Sequence, residues 1–210
     1  AELCDDTFCM IAKLNGMDDF GEDGIQPEWA AQAAAIFEKH GIRLFTVNAG
    51  GALVGYNYMS DNGRQPEGWK AHLAQTVKEH VSVPVAASGN IRHVDYAHRL
   101  IMDGRCDIIA MGRTLLADPE WVNKTAEGRE NELRYCVSCL YCFAKVPADG
   151  SVAGCCVNPD CKCEIAKPEL VKDGDGRTVV VVGAGPAGME AAVVLAERGF
   201  KPVVFEQNAY

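Results

Sequence analysis

The chain has 210 residues, 48% of them hydrophobic, and a formal net charge of −9. That is enough chain for one or two domains, while the acidic balance argues against nucleic acid or an anionic membrane as a bulk partner, since both require a basic surface. No apolar run reaches the roughly 20 residues of a transmembrane helix, so a small-molecule substrate and a cytoplasmic setting are expected.

From Phe8 to Gly128, short apolar runs alternate with amphipathic stretches, the pattern of βα units around a parallel sheet. It predicts strands over Phe8 to Asn15, Leu44 to Ala49, Val83 to Ser88 and Asp107 to Gly112. Helices are expected near Pro27 to His40, Pro66 to His80, His93 to Asp103 and Thr114 to Glu127. Four such units make half of an eightfold barrel, which would occupy residues 1–130. After Arg129 the repeat breaks. The stretch 131–167 has so little periodicity that metal ligation is expected to supply much of its order. Residues 168–177, with Lys172-Asp173-Gly174-Asp175-Gly176, read as a linker. Thr178 to Val182 then enters a glycine loop, Pro186 to Arg198 reads as a helix and Pro202 to Glu206 as a second strand. Residues 178–210 are thus the opening βαβ of a Rossmann-like dinucleotide-binding domain. With Ala1 first and the chain stopping just after that strand, the sequence reads as a fragment of a longer protein.

Seven of the ten cysteines lie between Cys136 and Cys163. Cys136, Cys139 and Cys142 are spaced so that their thiolates can converge on one centre, and the Cys155-Cys156 pair on a returning loop can close it. This is an iron–sulfur ligand pattern. Zinc also takes four thiolates, and a disulfide framework requires an oxidising compartment; both remain alternatives at this point. Cys4, Cys9, Cys106, Cys161 and Cys163 read as spare thiols or small core residues.

Two further motifs concern phosphate. In Gly183-Ala184-Gly185-Pro186-Ala187-Gly188, the first glycine permits the turn, the second lets the backbone approach a pyrophosphate, and the third lets helix and strand pack closely. Glu206 at the end of the next strand would accept from a ribose hydroxyl. Ser88-Gly89-Asn90 and Gly112-Arg113 each follow a predicted strand. Late loops of a (β/α)8 barrel commonly bind phosphate there, and Arg113 could add a charge-assisted bond.

Lys13-Leu14-Asn15, Ser88-Gly89-Asn90, the run Gly112 to Pro119, the spaced cysteines and the Gly183 loop, in this order, resemble old yellow enzyme-like NADH:flavin oxidoreductases of the multidomain iron–sulfur type. These are the 2,4-dienoyl-CoA reductase, 2-enoate reductase and trimethylamine dehydrogenase family. The resemblance implies FMN in the barrel, with its phosphate on Gly89, Asn90, Gly112 and Arg113, and Lys13 facing the flavin N1 and C2 carbonyl, where a cation stabilises the reduced flavin. It implies a [4Fe–4S] cluster on Cys136, Cys139, Cys142 and Cys155, and an FAD- or NAD(P)H-binding module on Gly183, Gly185, Gly188 and Glu206.

The expected function is that of an NAD(P)H-dependent enzyme passing electrons through FAD and the cluster to FMN, to reduce the activated C=C bond of an enoate, enoyl-CoA or unsaturated steroid acid. This piece by itself is expected to be inactive, with a barrel half on the parent chain, or a homo-oligomer, as further partners. One alternative is an amine dehydrogenase of the trimethylamine dehydrogenase type, to which the two residues between Cys139 and Cys142 are similar. The other is a non-catalytic zinc-binding piece.

Overall fold

The computed structural model describes residues 8–18, 20–50, 65–144, 154–161 and 169–208, in two compact units, Ala1–Lys162 and Cys163–Tyr210. In the first unit, strand β1 (Met10–Met17), helix α1 (Pro27–Lys39), β2 (Ile42–Ala49), α2 (Ala71–Lys78), β3 (Val85–Ala87), α3 (Val94–Met102) and β4 (Ile108–Ile109) alternate along the chain. The strands form one parallel sheet in the order β1-β2-β3-β4.

Burial explains this alternation. Along β2, Phe45, Val47 and Ala49 are buried on alternate positions, as a pleated strand dictates. Against them pack Ala31 and Ala34 of α1 and Leu73, Ala74 and Val77 of α2. The alanines are small enough to let each helix lie close on the sheet. Pro27 opens α1 at a position where its missing N–H costs nothing.

The helix expected over Thr114 to Glu127 is instead two, α4 (Arg113–Ala117) and α5 (Trp121–Ala126). Asp118 precedes Pro119 and is driven to an extended conformation, φ −144° and ψ 100°, because the proline ring excludes the helical region for its predecessor. The helix expected from Pro66 begins only at Ala71, after Gly68 turns the chain at φ +64°. Strand β3 is shorter than expected: Pro84 before it has no N–H to donate, and Gly89 and Asn90 after it turn the chain at φ +117° and +56°.

In the second unit, β5 (Thr178–Val182) and β6 (Lys201–Phe205) pair in parallel across α7 (Pro186–Glu197). The stretch read as a linker is bonded into this unit from Asp173 onward. The Gly174 N–H donates to Arg198 O at 2.9 Å, the Lys201 N–H to Arg177 O at 2.9 Å, and Arg198 Nη2 to Asp173 Oδ2 at 2.6 Å. Cys4, Cys163 and Pro168 lie outside the described residues.

Candidate functional site: a thiol-lined concavity beside two strand-end loops

Because β3 and β4 are neighbours in register, Ala86 beside Ile108 and Ala87 beside Ile109, their following loops leave the sheet side by side. The first of these loops is held in place by Glu67. Its carboxylate accepts from the N–H groups of Arg92 at 2.5 Å and His93 at 2.7 Å. At Gly89 the backbone conformation favours glycine, and an added Cβ would also press on the Lys70 stem at 3.0 Å. At Gly112 an added Cβ would meet nothing within 4 Å, which leaves room for a group to approach that turn. Thr114 joins the two loops, donating its hydroxyl to Ile91 O at 2.6 Å.

Beyond these loops, Cys136, Cys139 and Cys142 come from one segment and Cys155 and Cys156 from another. All five line one open concavity, with Arg113 in its wall. Cys142 lies in a single helical turn, α6 (Tyr141–Ala144). Among the described residues no three His, Cys, Asp or Glu side chains meet at one ion position. The five cysteines nevertheless line one concavity, and an all-thiolate donor set is one that iron–sulfur clusters take, as structural zinc does.

Cys139 and Cys156 are 2.9 Å apart, sulfur to sulfur. Sharing a proton lowers Cys139 below the usual thiol range, with a smaller contribution from Arg113, and pushes Cys156 up to about 11. Burial raises Cys142, against the opposing attraction of Arg113.

A polar scaffold holds these segments, one the cysteine spacing does not announce. Asp118 is buried where α4 and α5 part. It accepts from Lys124 Nζ at 2.7 Å, and from the N–H groups of Arg134 and Glu120, each at 3.0 Å. Burial opposes its charge, but these donors prevail and hold the carboxyl below the usual carboxylate range. Asn158 donates to Leu116 O at 2.9 Å and accepts from the Asp160 N–H at 3.1 Å, fixing the returning segment. Arg92 Nη1 donates to Cys136 O at 3.2 Å, and Trp121 Nε1 to Arg92 O at 3.0 Å. The Arg92 Nε is buried with no hydrogen-bond partner among the described residues. The available sequence signals were Asp118-Pro119 as a break and Asn158-Pro159 as a turn.

Lys13 lies exposed on β1, in register with Thr46, at the opposite sheet edge from β4. Three strand spacings separate these edges, roughly 14 Å. Lys70, read only as part of a helix, is buried and donates to Asn48 Oδ1 at 2.7 Å.

The glycine loop of the second unit uses its three glycines differently. Gly183 sits at φ +98°, a conformation that L side chains rarely adopt. At Gly185 an added Cβ would meet nothing within 4 Å, whereas at Gly188 it would lie 1.9 Å from the Gly183 carbonyl oxygen. The middle glycine therefore leaves space above the loop, and the last allows helix and strand to touch. Glu206 Oε2 accepts from the Ala184 N–H at 2.8 Å, and that bond is the main reason its carboxyl lies below the usual range.

Residues 178–210 match the FAD binding domain. The chain is 37% identical over 194 residues to an NADH oxidase of Thermoanaerobacter brockii, covering 92% of this chain and 30% of that protein. It is 36% identical over 151 residues to a cinnamate reductase of Clostridium sporogenes, 70% of this chain and 22% of that one. The structure of histamine dehydrogenase from Rhizobium sp. 4-9 matches with a TM-score of 0.85 at 28% identity, over 98% of this chain and 30% of that chain. The chain thus spans less than a third of the length of each. Among the described residues no helix is long and apolar enough to cross a membrane. Residues 5–132, well over half of the chain, match the NADH:flavin oxidoreductase / NADH oxidase family, and the chain belongs to that family.

Proposed function

We propose that the parent protein is an iron–sulfur flavoprotein that takes electrons from NAD(P)H at an FAD-bearing module and passes them through a [4Fe–4S] cluster to FMN. There it reduces an activated C=C bond in an enoate, enoyl-CoA or unsaturated steroid acid. The observation that carries this reading is the position of Arg113: it follows the Gly112 turn after β4 and also walls the concavity ringed by five cysteines. A phosphate at that turn and a metal cluster among those thiols would be next to each other, with one guanidinium serving both. The cluster would supply single-electron steps between two-electron carriers, across a distance that hydride cannot cross.

On this reading residues 1–130 are the second half of a (β/α)8 barrel, 131–167 the cluster segment and 178–210 the start of a Rossmann-like domain. Cys136, Cys139, Cys142 and Cys155 hold the cluster. The turns at Gly89, Asn90 and Gly112, with Arg113, hold the FMN phosphate, and Lys13 faces the flavin ring. The Gly183, Gly185 and Gly188 loop with Glu206 holds the dinucleotide. The relatedness to a cinnamate reductase supports the acyl substrate class. A second reading, oxidation of an amine with electrons leaving through the cluster, is supported by the likeness to histamine dehydrogenase.

The test uses the full-length protein purified without oxygen. Iron, visible absorbance and flavin content are measured in the wild type and in Cys139→Ser, Cys155→Ser and Cys156→Ser. The expected result is loss of the cluster in the first two and retention in the third. Zinc without iron in the wild type overturns the reading. The two substrate classes separate when the enzyme is offered cinnamate with NAD(P)H, or an amine alone: the reductase oxidises NAD(P)H in the first mixture, and the dehydrogenase bleaches its flavin in the second.

A further inference from the structure

The side chain of Asn90 is engaged at both ends. Its Nδ2 donates to Gln65 O at 3.1 Å, and its Oδ1 accepts from the Ser138 hydroxyl at 2.5 Å. Both residues are buried, Asn90 at 8% exposure and Ser138 at 4%. Asn90 belongs to the turn after β3, and Ser138 lies between Cys136 and Cys139. This hydrogen bond therefore joins the two loops that the proposed function assigns to FMN phosphate and to the cluster. A second strap runs beside it, from Arg92 Nη1 to Cys136 O.

The backbone at both ends of the bond is left-handed. Asn90 and Ser138 have φ of +56° and +53°, and Leu140, on the other side of Cys139, has +60°. Asn adopts this conformation more readily than other residues with a side chain, whereas Ser and Leu hold it when surrounding contacts impose it. The Ser138 N–H in turn points at Cys136 Sγ, 3.4 Å away. The bend that aims Cys136 and Cys139 into the concavity thus depends partly on a hydroxyl whose acceptor belongs to the neighbouring loop. If that acceptor is held by an ordered phosphate turn, the thiol loop is ordered too, and the converse follows thermodynamically.

The geometry points to Ser138 as a positioning residue that couples the two cofactor sites, so that FMN and the cluster strengthen each other's binding through the Ser138–Asn90 bond. The inference rests on the cofactor assignment above. Leaving one buried partner unsatisfied is unfavourable, and the coupling expected from it is about tenfold in affinity, which is about 1.4 kcal/mol.

The experiment measures the rate of FMN release from the full-length protein with its iron in place and after the iron is stripped by a chelator. Wild type is expected to release FMN about tenfold faster when stripped. Ser138→Gly removes the hydroxyl but suits the φ of +53°; its two rates should lie much closer together, with only the Arg92 strap and Arg113 still joining the loops. Asn90→Gly, which removes the acceptor and likewise suits its own φ, should narrow the ratio from the other side. Ser138→Asn, which tolerates the same backbone conformation and restores a donor, should recover part of the ratio. A wild-type ratio in Ser138→Gly or in Asn90→Gly overturns the inference, as does a wild-type ratio of one. Wild-type protein without iron or without FMN overturns the cofactor assignment itself, a distinct failure visible before any variant is made.

Discussion

The two parallel βα pieces of this chain have similar backbones and very different interiors. In the first unit Phe45 is fully buried among helix alanines and the valines of its neighbours. In the second, β5 and β6 pair over five consecutive residues, yet α7 has no buried residue, Val182 is 85% exposed and Phe205 59%. Strand, glycine turn, helix and strand follow from local pattern alone. A core requires side chains distant in sequence to match in size. Among the described residues the tight contacts of the second piece run through the backbone, at Gly188 and along the ladder, and those of the first through side chains; residues 178–210 match only the start of a larger FAD binding domain.

Truncating Phe45 to Ala probes this contrast most strongly. Removing a fully buried aromatic from the first unit should cost about 3–5 kcal/mol, read as a lower urea midpoint of the chain. A cost below 1 kcal/mol would show that the sheet does not depend on that core. Next is the paired substitution of Gly188 and Gly185 by Ala. At Gly188 the new methyl meets a backbone oxygen that cannot swing aside, and about 1–3 kcal/mol or more is expected. At Gly185, where the space is open and φ is −67°, stability should barely change while dinucleotide affinity falls. Equal destabilisation by both would break the division of labour among the glycines.

The acid dependence of the polar scaffold should be smaller. The Asp118 carboxyl is held below its unfolded value, near 3.9, so its stabilisation is complete above that pH and is lost as the pH falls through the lowered folded value. A series of thermal melts from pH 5 to pH 2 should fall steeply below about pH 4. Asp118→Asn should be less stable at neutral pH and should flatten this limb; an unchanged limb would place the acid sensitivity elsewhere.

Much of the candidate site was legible because it rests on short-range spacing. Three cysteines within seven residues can meet at one place in almost any fold that keeps them on one loop, and a glycine turn after an all-valine strand carries its geometry with it. The scaffold was not legible. Asp118 was read as the interior of one helix, although the proline after it ends α4 and frees its carboxylate to hold Arg134. Beyond the ligation expected of its cysteines, the described part of the cysteine segment is tied by Asn90, Arg92 and Asn158 to elements more than 20 positions away.

By itself the sequence determined the alternation of strands and helices, the grouping of thiols and the three-glycine turn, since each depends on neighbours a few positions apart. The tertiary structure alone decided which side chains of distant loops meet: Ser138 with Asn90, Arg92 with the Cys136 carbonyl, and Arg113 with the thiol concavity. Those meetings arise because β3 and β4 are adjacent in one sheet, and adjacency is set by packing of the whole unit rather than by any local preference.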